Sequence, residues 1–213
     1  MIPGIPGEAH DAIQAWYAAA PYIAGWTQNF WVFPPTYSDI LWGGSSLAGI
    51  LGGIPGGPLN VITHSHGGNV AILATHTLGW ARQLRTLVNL GTPINWDLPG
   101  ALGGPGSYWR CQISSTADWV QFIGASPVQI ANFVYSIYQS VQGAVAAFAA
   151  LASGDYYGAL AYFQYSVFEV IVAEFWWRST KEEVVGPTLW FSGLSHFDLH
   201  SAAVWNTIAP YCG

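Results

Sequence analysis

The stretch Leu59-Asn60-Val61-Ile62-Thr63-His64-Ser65-His66-Gly67-Gly68-Asn69-Val70-Ala71 constrains this chain more than any other. An apolar, β-branched run enters it and an alanine- and leucine-rich pattern leaves it, so the order is strand, sharp turn, helix. Ser65 stands at the turn, with Thr63 and Gly67 two positions away on either side. Both must be small, because the reversal brings the strand end and the helix start nearly into contact. The turn exposes the serine hydroxyl beside the first N–H groups of the helix. The N–H of His66 then points where a carbonyl oxygen attacked by that hydroxyl would become negative.

Such a turn reads as a nucleophile elbow, G-x-S-x-G, with Thr63 in place of the first glycine. The plainer reading makes Ser65 a helix cap in an ordinary strand-to-helix turn. What favours the first is context, since the motif is useful only between a strand and a helix, and both are present. An acid after a later strand and a histidine after the last strand should then follow in chain order. Leu84 to Leu90 reads as a buried strand ending at Gly91-Thr92-Pro93. Ser107 to Ile113 reads as another, stopping at the polar turn Ser114-Ser115-Thr116-Ala117-Asp118. Pro187 to Gly193 reads as the last strand, and His196 lies on the loop after it.

Ser65, His196 and Asp118 thus become nucleophile, base and acid. A serine hydroxyl needs an imidazole to take its proton during attack and return it to the leaving alcohol. The imidazole needs a carboxylate on its far nitrogen to fix its tautomer and stabilise its transient charge. His200, at the start of a helix over Leu199 to Ile208, is the weaker base. Asp97 and Asp198 are the weaker acids, one after an earlier strand and one almost adjacent to the histidine.

The elbow, the Ser-Asp-His order and the strings Leu87-Val88-Asn89-Leu90-Gly91-Thr92-Pro93 and Ser195-His196-Phe197-Asp198-Leu199-His200 resemble the α/β-hydrolase superfamily, and within it the bacterial serine esterases and lipases. The resemblance covers about residues 30 to 120 and 187 to 210. It implies an α/β fold with a mostly parallel sheet flanked by helices, and ester hydrolysis through an acyl-enzyme. The family carries a strand and an oxyanion loop upstream of the elbow. Here Met1-Ile2-Pro3-Gly4-Ile5-Pro6-Gly7 resembles its end, with Pro3 where the family has a histidine. On that alignment the N–H of Ile5 joins that of His66 in the oxyanion hole, since Pro3 and Pro6 have none to give. The alternative is a proline- and glycine-rich terminus in a fold that is minimal at its N-terminal end.

At 213 residues the chain suits a single domain. Only 8% of residues are charged and the net charge is -6, so nothing draws it to phosphate-rich partners, and nucleic acid is not expected. No secretory signal is visible, which points to the cytoplasm, although the mature form of a secreted precursor would look the same. Cys111 and Cys212 permit at most one disulfide, and two free thiols are expected. His64 and His66 tempt a metal reading. Alternate residues on a tight turn point apart, and no Cys or carboxylate cluster joins them, so neither metal nor other cofactor is expected. Trp42-Gly43-Gly44 and the run Gly52 to Pro58 read as turns before the elbow strand, and Tyr22, Trp26, Phe30 and Trp31 as core or pocket mouth.

Between acid and base the chain spends about fifty residues where a bare α/β-hydrolase needs one helix. In the first half, Ile130, Phe133, Val134, Ile137, Val141, Val145, Phe148 and Leu151 recur at helical spacing opposite Gln129, Asn132, Ser136, Gln139 and Gln142. Ser153-Gly154-Asp155 breaks the helix, and Tyr156 to Trp177 is apolar nearly all round. Residues 125–178 are therefore expected to be an apolar helical hairpin inserted before the last strand, either a cap or lid over the site or core helices of the sheet. The four amide side chains and two glutamates argue against a transmembrane pair. Reversible contact with a lipid surface, or self-association into a homo-oligomer, suits the patch better.

The expectation is a carboxylic ester hydrolase, esterase or lipase, acting on a fairly apolar small-molecule or lipid ester. The same triad could serve an acyltransferase. A catalytically inactive hydrolase fold binding a hydrophobic ligand or membrane is the reading from another class.

Overall fold

The computed structural model describes residues 37–104 and 109–201, with residues 203, 204 and 207 beyond them. They fall into two compact units. One comprises the described residues up to Gly124 together with those from Lys181 onward, and the other is Ala125–Thr180.

The first unit is α/β, with four strands: β1 (Leu59–His64), β2 (Leu84–Leu90), β3 (Trp109–Ser115) and β4 (Thr188–Phe191). They lie side by side in chain order, every pair parallel. Around them are α1 (Tyr37–Gly53), α2 (Gly67–Leu78), the short α3 (Trp119–Ile123) and a 3-10 turn at His196–His200. Parallel strands are covered on both faces, and β1, β2 and β3 are accordingly buried along most of their length, polar residues included. Val61 and Leu87 pack on one face with Leu47 and Leu51 of α1 and Val70 and Ile72 of α2. Ile62, Val88, Leu90, Cys111 and Ile113 pack on the other with Leu199 and Val204. Cys111 is fully buried in that core. The register pairs His64 with Leu90, Leu90 with Ile113 and Ile113 with Leu189, so the carboxyl ends of the four strands line up along one edge of the sheet. Crevices in open α/β sheets form at that edge.

Several sequence expectations need correction. Trp42-Gly43-Gly44 is not a turn but part of α1. A Cβ at Gly44 would come within 2.6 Å of Leu73, so the glycine is there to let α1 lie close against α2. The acid turn is shorter than expected, because Ser114 and Ser115 belong to β3. The residues after the last strand start in a 3-10 turn that includes His196 and ends at His200, and the described residues of the expected helix, 203, 204 and 207, are helical only beyond it, so the helix begins later than Leu199. Ile5, the N-terminal string around it, Cys212 and the aromatics Tyr22 to Trp31 lie outside the described residues.

The second unit is a helical hairpin, α4 (Pro127–Ala152) and α5 (Tyr156–Ser179). Ser126 and Gln129 form a reciprocal capping box at the start of α4. Asp155 Oδ1 accepts the N–H of Gly158 at 2.8 Å to open α5, and Gly154 makes the reversal with φ of 80°. The expected stripe of α4 faces the wrong way. Gln129, Ser136, Ser140 and Gly143 are buried against α5, while Val134, Ile137, Val141, Val145, Phe148 and Leu151 are exposed. Small side chains explain the inversion, since a Cβ at Gly143 would already stand 3.2 Å from Ser166 Cα. Ser166 Oγ donates to Ser140 O at 2.8 Å across that close seam.

Candidate active site

β1 ends at His64, and Ser65 makes the turn into α2. Its φ of 53° is the one positive value of a non-glycine among the described residues. Left-handed backbone costs an L-residue about 1–2 kcal/mol, so the surrounding bonds must hold it. Ser65 N donates to Leu90 O at 2.9 Å, and Ser65 O accepts from Gly68 N at 3.0 Å. Helix and strand approach as closely as the sequence required, although the tightest position is Gly68, where a Cβ would overlap the side chain of Thr92. Thr63 fits because its buried hydroxyl donates to Asn89 Oδ1, 2.7 Å away on β2. Ser65 itself is 1% exposed. Its Oγ has no hydrogen-bond partner among the described residues.

Asp118 follows β3 and N-caps α3, with Oδ1 accepting the N–H of Gln121 at 2.9 Å. Oδ2 stands 2.8 Å from His196 Nδ1, and both residues are buried. A carboxylate only accepts, so the imidazole carries its hydrogen on Nδ1 and, when neutral, leaves Nε2 as the basic nitrogen. Asp97 and Asp198 are exposed, and Asp198 is occupied with the N–H and hydroxyl of Ser195.

The structure thus joins Asp118 to His196 directly and sets both against the Ser65 turn without a hydrogen bond to its hydroxyl. His64, the residue before Ser65, meets His196. The rings of His64 and His196 lie 4.6 Å apart, and His64 Nε2 donates to His196 O at 3.0 Å. The pKa of His66 is lowered to about 4, chiefly by burial and secondly by the charge of His196. His66 Nδ1 accepts from Asn69 Nδ2 at 3.4 Å. A Cβ at Gly91, whose φ is 57°, would lie 3.1 Å from both Asp118 Oδ2 and His196 Nδ1, so this close approach requires glycine. As the residue before α2, His66 offers its backbone N–H at a helix start whose first donors lack acceptors within the helix.

Two neighbours escaped the sequence reading. His64 holds His196 through the carbonyl of the latter. Lys181, the only lysine in the chain, is fully buried and donates from Nζ to Asp118 O at 2.6 Å and to Ser115 O at 3.1 Å. Burial lowers its pKa to about 8, against the opposing pull of Asp118. A single lysine in a chain so short of charge was the available signal. Among the described residues no group of three or more His, Cys, Asp or Glu side chains is placed to hold a metal ion.

No protein-family model, curated protein or solved structure matches this chain.

Proposed function

We propose that this chain is a serine carboxylic ester hydrolase with an α/β-hydrolase type of fold, in which Ser65 is the nucleophile, His196 the base and Asp118 the acid. The observation that carries the reading is the buried contact of 2.8 Å between Asp118 Oδ2 and His196 Nδ1, set against a serine in left-handed backbone at the strand ends. Neither feature is needed to build a parallel sheet. Together they supply an oriented imidazole and a serine on a strained turn, whose hydroxyl is buried rather than exposed as the sequence reading expected.

In this reading an ester displaces whatever covers the Ser65 hydroxyl. His196 Nε2 takes the hydroxyl proton as Oγ attacks the ester carbonyl, and Asp118 stabilises the imidazolium. The oxygen of the tetrahedral intermediate is received by the N–H of His66, with that of Ile5 as the second donor. His196 returns the proton to the departing alcohol, and water then releases the acid from Ser65 by the same steps. No cofactor enters. The depressed pKa of His66 suits the arrangement, because a second imidazolium beside His196 would resist the charge that must form there.

The test is hydrolysis of p-nitrophenyl esters from acetate to palmitate by the wild type and by Ser65→Ala. Loss of at least about a thousandfold in the variant is the expected result. A folded wild type without activity, and without labelling of Ser65 by a fluorophosphonate, would turn the reading toward an inactive fold that binds a hydrophobic ligand. The chain-length optimum gives the acyl length that the site accepts.

A further inference from the structure

The α4–α5 hairpin is built inside out. Helix pairs in water place apolar side chains in the seam and polar ones outside. Here the buried seam is Ser136, Ser140 and Gly143 against Ser166 and Ala173, and the outside is apolar. Phe148 is 74% exposed and Phe163 59%. At about 100° per residue, the exposed Leu160, Phe163, Tyr165 and Phe168 spread over more than half the circumference of α5.

Three of the four amide side chains that argue against lipid, Gln129, Asn132 and Gln139, are hydrogen-bonded within the hairpin. Gln129 Nε2 donates to Ser179 Oγ at 3.0 Å, Asn132 Nδ2 to Val128 O at 2.9 Å, and Tyr165 Oη to Gln139 Oε1 at 3.2 Å. Internal pairing is what a medium without hydrogen-bond partners demands, and small residues with hydroxyl bonds are how helices pack there. A protein partner demands neither internal pairing nor a seam of small hydroxyl-bearing residues. No helix among the described residues is long and apolar enough to cross a membrane. The lipid–water interface is therefore the depth that fits.

Charge selects the kind of surface. Residues 125–180 contain Asp155, Glu169 and Glu174 against the single cation Arg178, within a chain of net charge -6. Nothing here attracts anionic lipid. We propose that the α4–α5 hairpin seats itself in the surface of an electrically neutral phospholipid bilayer. This does not rest on the hydrolase reading.

Flotation of the full chain, carrying Ser65→Ala to leave the lipid intact, with phosphatidylcholine vesicles tests it. The bulk of the protein should rise with the vesicles, and added phosphatidylserine should not increase the bound fraction. The exposed pair Phe148→Gln and Phe163→Gln, with its helical circular dichroism unchanged, should lose flotation. Protein that stays in the aqueous layer overturns the proposal. So does flotation that requires phosphatidylserine, or a stable oligomer that the double variant dissociates and vesicles do not, since another copy then covers the surface. Wild-type turnover of a soluble acetate ester, measured alongside, separates failure here from failure of the catalytic reading.

Discussion

Asp118 and His196 meet at 2.8 Å although 78 positions separate them in the chain, and each is held by its main-chain carbonyl as well as by its side chain. Lys181 grips the carbonyl of the acid, and His64 that of the histidine. The orientation of the pair is thus set from behind, by groups that form no part of the proton relay.

Asp118→Asn should leave α3 capped, because asparagine serves as an N-cap as well as aspartate. It should nevertheless lower kcat for ester hydrolysis by on the order of 10³–10⁴, because the amide can donate to Nδ1 and favour the wrong tautomer. Steady-state kinetics and urea unfolding on the same preparation check both halves. A variant that keeps its rate would remove Asp118 from the mechanism.

Lys181→Met strands two buried carbonyl oxygens and should cost about 1–3 kcal/mol of stability at neutral pH. Acting through Asp118, it should lower kcat and leave KM little changed. The wild type should also show a pH effect that the variant lacks. Folded Lys181 releases its proton near pH 8 and the unfolded lysine near 10.5, so between these values the unfolded state binds more protons. Stability contributed by this residue therefore falls as pH drops from 10.5 to 8 and is flat below. Urea midpoints across that range test it.

Replacing Ser65 by glycine should raise stability above that of Ser65→Ala. Both remove a buried hydroxyl without a partner among the described residues, but only glycine relaxes a φ of 53°. The expected difference is up to about 1 kcal/mol, after glycine's greater unfolded-state entropy is set against the strain. Equal unfolding free energies for the two variants would mean that the turn carries no strain.

His66 stays neutral in the folded protein down to about pH 4, whereas the unfolded residue protonates at 6.5. Below pH 6.5 the unfolded state gains the proton first, so stability drops as pH falls from 6.5 to 4 and levels off below. His66→Asn should flatten that slope by at most about 1.4 kcal/mol per pH unit, the value for one proton. An unchanged slope in chemical denaturation would place the acid sensitivity elsewhere.

The sequence by itself determined the pieces whose physics is local. β1 and β2 follow from β-branched and apolar runs, the Ser65 turn from the small residues around it, and the break between α4 and α5 from Ser153-Gly154-Asp155. Chain order also pointed to Asp118 and His196 as the pair to compare. Only the tertiary structure decided what depends on which surfaces meet. Gly44 reads as a turn residue until α1 is seen to need it against Leu73. Nothing local in the sequence marks Lys181, and only the fold brings its ammonium to the carbonyl of Asp118. In α4, periodicity grouped Val134, Ile137 and Val141 on one face and Ser136 with Gln129 on another, but spacing says which residues share a face and not which face turns inward. The close approach of two helices through Ser140, Gly143 and Ser166 settled that, and it turned the apolar face out.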